Sequence, residues 1–167
     1  TAPQSYDEFQ APLQALKDAR KLPMAVGAKD GVMAGHIISA FWQAISGRDT
    51  VTELLYGDKP FTDPEVVKGA EEVLNLLENG YINSDCTALS YVEATAVFAS
   101  KNASTFLCLQ GYLDPFVEEG LDLNDVGSFV IPSYDSSMPS LPIAGLAQCW
   151  VVPTNGGNKE TVYQWLD

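Results

Sequence analysis

The stretch Thr105-Phe106-Leu107-Cys108-Leu109-Gln110-Gly111-Tyr112 decides the reading of the fold. Thr105 to Leu109 is an apolar run of strand length, and it delivers its carboxyl end to Gly111-Tyr112. Asp114-Pro115 then signals a short helix, so strand gives way to helix within a few residues. Upstream, Leu22 to Val26 is a second run of this kind, with Pro23 near its start and Gly27 just past its end. Gly27 to Gly35 reads as a loop, and Gly35 to Ser46 as a helix apolar on most faces through Ile37, Ile38, Phe41, Trp42 and Ile45. Gly47 ends it.

The remaining helices announce themselves through their caps. Ser5-Tyr6-Asp7-Glu8 has the capping-box pattern ahead of Phe9, Leu13 and Leu16, with Pro12 predicting either a kink or a later start. Phe61-Thr62-Asp63-Pro64-Glu65 is the clearest start, because Thr62 or Asp63 can cap and Pro64 lacks only an amide that a first turn leaves unpaired. Val66, Val67, Ala70, Val73, Leu74 and Leu77 continue it to a stop at Gly80. Ser90-Tyr91-Val92-Glu93 is a second capping box, opening a helix through Ala99. Val126 to Ile131 and Gln148 to Val152 are two more strand candidates, separated by a Ser- and Pro-rich loop from Ser133 to Pro142. Asn158 is placed to cap a last helix carrying Val162, Trp165 and Leu166. Helices alternating with short buried strands predict an α/β layer architecture over a single domain, residues 1–167.

Composition limits the function classes. Of 167 residues, 46% are hydrophobic and 19% charged, enough to build a core. Acidic residues outnumber basic ones 22 to 9, and the formal charge of −13 argues against tracking nucleic-acid phosphates. No apolar run has membrane-spanning length, and the first residues do not form a signal peptide. Cys86, Cys108 and Cys149 are far apart with no Cys/His cluster, and His36 is the only histidine, so a zinc site is not expected. Buried free thiols are the simpler expectation, with one disulfide as the alternative.

Catalytic patterns are sparse. There is no GxSxG elbow, no Walker pattern and no GxGxxG. Paired carboxylates would suit a glycosidase, but Asp63 and Asp114 precede prolines as helix caps do, and Glu71, Glu72 and Glu78 read as a solvated face. A sugar presents an apolar C–H face and a rim of hydroxyls, so its binder needs a flat ring and short polar groups. Tyr112 stands just past a buried strand and a glycine, where open α/β sheets present residues to ligands. Packing over the strand end is its alternative role. Trp42 and Trp150 read as core, Tyr134 as a stacking lid or a solvent-facing ring, and His36 as a capping, packing or ligand residue.

An ordered series of segments carries a family resemblance. It comprises Thr1 to Phe9, Lys29-Asp30-Gly31 with Gly35-His36, Phe61 to Val66, Asn79-Gly80-Tyr81-Ile82, Tyr91 to Ala94 with Phe98, Leu109 to Tyr112, and Val126 to Pro132. The series resembles the sugar-binding group of bacterial extracellular solute-binding proteins, the receptors of ABC importers. The resemblance implies a type II periplasmic-binding-protein-like lobe, a short central sheet flanked by helices, forming the middle of the carboxyl-terminal lobe of a two-lobed receptor. An amino-terminal lobe would precede Thr1 and a final segment would follow Asp167. It further implies a sugar or oligosaccharide ligand, permease subunits as partners, no enzymatic turnover, no cofactor and no nucleic acid. The location would be extracytoplasmic, with membrane contact only through an N-terminal anchor outside the sequence. A glycoside hydrolase or an adhesion domain are the competing readings.

Matched by position, the family's stacking aromatic after glycine corresponds to Gly111-Tyr112, with Tyr where Trp is common. The loop entering the apolar helix corresponds to Lys29 to His36, with Val32 or Met33 where the family often has Trp. The turn before the late strand corresponds to Ala144-Gly145, with Ala147 and Gln148 able to face the cleft. The resemblance thereby implies a site of Gly111, Tyr112, Asp30, His36, Gly145 and Gln148.

Overall fold

The computed structural model describes residues 2–108, 113–143 and 152–166. Chain order is α1 (Tyr6–Asp18), β1 (Leu22–Ala25), α2 (Val32–Tyr56), α3 (Pro64–Glu78), α4 (Tyr91–Ala99), β2 (Ala103–Phe106), α5 (Asp114–Glu118), a 3-10 turn (Leu123–Asp125) and α6 (Lys159–Leu166). β1 and β2 pair in parallel, with Leu22 opposite Ala103, Met24 opposite Thr105 and Ala25 opposite Phe106. The Thr105 hydroxyl adds a 2.8 Å bond to the Pro23 carbonyl. A single parallel bridge joins Met24 to Ile82 on the chain leaving α3. The α/β expectation therefore holds, as a short parallel sheet with helices around it.

Local chemistry explains the helix boundaries. Ser5 accepts from the Glu8 amide at 3.2 Å, and the Glu8 carboxylate reaches back to the Gln4 amide at 2.8 Å. α1 therefore starts at Tyr6 and runs through Pro12 to Asp18, so the helix does not wait for Pro12 to begin. Asp63 caps α3 by accepting from the Glu65 amide, with Pro64 in the first turn. Gly80, at φ 70°, takes the left-handed conformation that stops α3. In α4 both halves of the capping box form between Ser90 and Glu93. The Thr161 amide approaches the Asn158 carboxamide at 3.5 Å at the head of α6.

Four expectations need correction. α2 begins at Val32 and continues beyond Gly47 to Tyr56; Gly47 breaks it at φ 80°, ψ 170°, and a second helical segment resumes directly. The strand predicted at Thr105 to Leu109 lies at Ala103–Phe106. Residues 126–131 form no strand ladder; Phe129 instead sets its ring 6.2 Å from Phe9 of α1. α5 has no side-chain cap, because Asp114 is already its first residue and Leu113 precedes it. The strand expected at Gln148 to Val152 falls mostly outside the described residues, as do Trp150 and Cys149.

The main core joins Tyr6, Phe9 and Leu13 of α1, Met24 and Val26, Ile37, Phe41 and Ile45 of α2, and Leu76 of α3 with Ile82 and Cys86. Phe41 is fully buried, and a side chain of this size contributes roughly 1.5–3 kcal/mol on burial. A smaller cluster of Ala99, Phe116 and Leu121, with Phe98, Phe106 and Val126 against it, sits under α4 and α5. Trp42 is half-buried and donates its indole N–H to the Val66 carbonyl at 2.7 Å, so it joins α2 to α3. Glu72 departs from the solvated-face expectation, since it accepts from the Tyr6 hydroxyl at 2.7 Å and from Gln10 at 3.1 Å. Cys86 is buried and free, whereas the free Cys108 is exposed.

Candidate functional site

Two parallel strands in register finish at the same end of their sheet, and the loops that leave them share that end. The loop from β1 to α2, residues 26–31, is held along its length by the chain between Tyr81 and Leu89. The Met24 amide donates to the Tyr81 carbonyl, the Val26 amide to Asn83 Oδ1, the Ala28 amide to the Cys86 carbonyl and the Lys29 amide to the Leu89 carbonyl. Gly31, at φ 74°, closes the turn with its amide on the Ala28 carbonyl and starts α2. A non-glycine residue is strained there.

Gly27 has a different reason to be glycine. A Cβ at that position would lie 2.1 Å from the Ser90 carbonyl oxygen and 2.9 Å from Ala94 Cβ. The backbone of the β1 loop thus rests directly on the start of α4. Glu93 accepts from both the amide and the hydroxyl of Ser90, each at 2.7 Å. These bonds, with a lesser contribution from Lys29, hold its carboxyl below the ordinary value.

Asp30 is exposed at the tip of this loop, and His36 is half-buried on the second turn of α2. Asp30 thus lies in the segment leaving β1 and His36 in the helix that follows it. Val32, 66% exposed, offers an apolar side chain at the first position of α2, while Met33 turns into the core. Gly111, Tyr112, Gly145, Ala147 and Gln148 lie outside the described residues. Tyr134 is half-exposed, with its ring 5.2 Å from that of Tyr6 and the Lys68 ammonium 4.8 Å above it. Its amide donates to the Ala44 carbonyl, so it belongs to a loop fastened on α1, α2 and α3. Sequence reasoning missed Asn83, whose partner Val26 is 57 positions away and leaves no local pattern.

The loop carries one exposed carboxylate, Asp30, and the helix it enters adds the exposed Val32 and the half-buried His36 imidazole. Among the described residues, no group of three or more His, Cys, Asp or Glu side chains is placed to hold a metal. No described helix is long and apolar enough to cross a membrane.

The fold has relatives among solved structures. A chitin oligosaccharide binding protein matches with 30% identity and TM-score 0.60 over 64% of this chain and 27% of its own. The bacterial solute receptor AcbH, described as having an exclusive preference for β-D-galactopyranose, matches with 22% identity and TM-score 0.69 over 80% of this chain and 33% of its own. RafE of Streptococcus pneumoniae, also solved in complex with raffinose, matches with 18% identity and TM-score 0.65 over 81% of this chain and 36% of its own. The chain thus spans between 27% and 36% of these three proteins. No family model matches the chain, and no curated protein does. The described residues share their fold with a piece of a sugar-binding solute receptor of the type II periplasmic-binding-protein-like class.

Proposed function

We propose that this chain is part of the carboxyl-terminal lobe of a carbohydrate receptor serving an ABC importer, gripping a sugar or oligosaccharide between two lobes without transforming it. The likeness to the chitin oligosaccharide binding protein, at 30% identity, carries the reading. The geometry supports it, because a single loop end bearing Asp30, His36 and Val32 offers one side of a cleft. Tyr112, after Gly111, supplies the stacking ring, while Asp30, His36 and Gln148 bond hydroxyls and Gly145 lets the backbone approach. Lobe closure then desolvates the second face of the sugar, where most of the free energy arises. The receptor works outside the cytoplasm, tethered through an N-terminal lipid, and hands its ligand to permease subunits.

Calorimetry on the full-length protein tests this with chito-oligosaccharides, raffinose, galactose and xylo-oligosaccharides, followed by chromatography of the recovered sugar. Binding of at least one, with the sugar recovered intact, is the expected result. Replacing Tyr112 by Ala is expected to weaken it about tenfold, equivalent to 1.4 kcal/mol. Absence of heat with every sugar, or hydrolysis of one, overturns the proposal.

A further inference from the structure

We infer that Asn83 is a positioning residue for the ligand end, fixing the loop that carries Asp30 and the start of α2. This deepens the receptor reading and rests on it. The Asn83 carboxamide acts on Val26 as a neighbouring strand would. Its Oδ1 accepts from the Val26 amide at 2.7 Å, and its Nδ2 donates to the Val26 carbonyl at 3.1 Å. Nδ2 also donates to Asp85 Oδ1 at 2.7 Å. Those three bonds fix the orientation of the amide, because exchanging its O and N would set donor against donor and acceptor against acceptor at every one of them.

The location makes the contact consequential. The backbone bridge pairs Met24, two residues before Val26, with Ile82, one residue before Asn83, and the next backbone bond joins Ala28, two residues after Val26, to Cys86, three after Asn83. The side chain therefore spans a gap in the pairing, at the point where β1 becomes the loop. Without it Val26, which is buried, keeps neither of these partners, and the chain between Ala25 and Ala28 loses its lateral anchor. Asp30 is four residues on, and without the Asn83 bonds the loop that carries it is tied to the Tyr81–Leu89 segment only from Ala28 onward. Ligand groups held to within half an ångström by rigid supports bind better than the same groups on a slack loop.

The test uses the full-length protein with Asn83→Ala and the milder Asn83→Ser, which retains one hydrogen-bonding group. Amide exchange is read at Val26, Ala28, Lys29 and Gly31, with Leu13 and Leu76 as core references, and affinity is measured for whichever sugar the wild type binds. The expected result is about tenfold faster exchange in the loop with the core amides unchanged, and affinity lowered in the order Asn, Ser, Ala. Uniform acceleration across loop and core identifies a merely structural residue and overturns the inference. Local acceleration with unchanged sugar affinity overturns it too, while leaving the receptor reading intact. A wild type that binds no sugar removes both.

Discussion

Gly69 of α3 lies so close to Trp42 of α2 that a Cβ on it would stand 2.4 Å from Trp42 Cδ1 and 3.1 Å from its Cα. The indole cannot swing aside without giving up its bond to the Val66 carbonyl. In an exposed helix, Gly→Ala gains about 1 kcal/mol of propensity, but overpacking costs about 1–3 kcal/mol. Overpacking with loss of the indole bond prevails here, and Gly69→Ala is expected to destabilise the protein by about 1–2 kcal/mol in urea titration. A variant as stable as the wild type would show that α2 and α3 separate freely.

Gly27→Ala is expected to be more severe. Its Cβ would meet the carbonyl carbon and oxygen of Ser90 at 2.6 and 2.1 Å, backbone atoms pinned by the α4 capping box. Neither side has a flexible chain end to yield, so β1 and α4 must part. A loss of about 3 kcal/mol or more is expected from thermal or chemical unfolding, together with lost sugar binding by the full-length protein. Wild-type stability in this variant would contradict the close seating of the loop.

The starts of α1, α3 and α4 are legible because their signals are local. Ser90 and Glu93, or Asp63 ahead of Pro64, sit within four residues of the amides that the caps serve. Apolar runs are less decisive. Leu22 to Val26 and Val126 to Ile131 look alike in sequence, yet only the first finds a ladder, because pairing depends on what the rest of the chain brings alongside. Gly47 breaks α2 but does not end it, and nothing local signals that helix resumes after it. At the candidate site, Asp30 and His36 enter through the family resemblance matched by position, not through a local signal of their own. Asn83 and Glu72 act on partners 57 and 66 positions distant, and such contacts have no period or spacing to betray them.

Acid should weaken the protein through groups that the fold keeps ionised. Glu93, Glu65 and Asp135 all have carboxyls held below their ordinary values, by Ser90, by Lys59 and Thr50, and by Ser137 respectively. A carboxyl lowered on folding contributes stability that is complete above its unfolded value, 4.5 for Glu93, and is lost as pH falls through the folded one. Glu93→Gln is therefore expected to flatten the decline of the urea midpoint between about pH 5 and 3. An acid limb identical to the wild type's would place its origin elsewhere.

The Tyr6 hydroxyl gives the opposite sign at the other end of the scale. Burial first, and then the Glu72 carboxylate 2.7 Å away, push its ionisation far above the ordinary value of 10.0. The unfolded chain releases that proton near 10.0, so the contribution is complete below this pH and drains away as pH rises toward the folded value. Tyr6→Phe removes both the hydrogen bond and the titration. At neutral pH the variant is expected to lose about 1 kcal/mol, since Glu72 still accepts from Gln10 and Asn75 and is not left bare. Above about pH 10 the wild type should decline faster, so that the two stability curves converge. Urea titrations of both proteins from neutral to alkaline pH measure this directly, and parallel curves would mean that the phenol ionises as readily folded as unfolded.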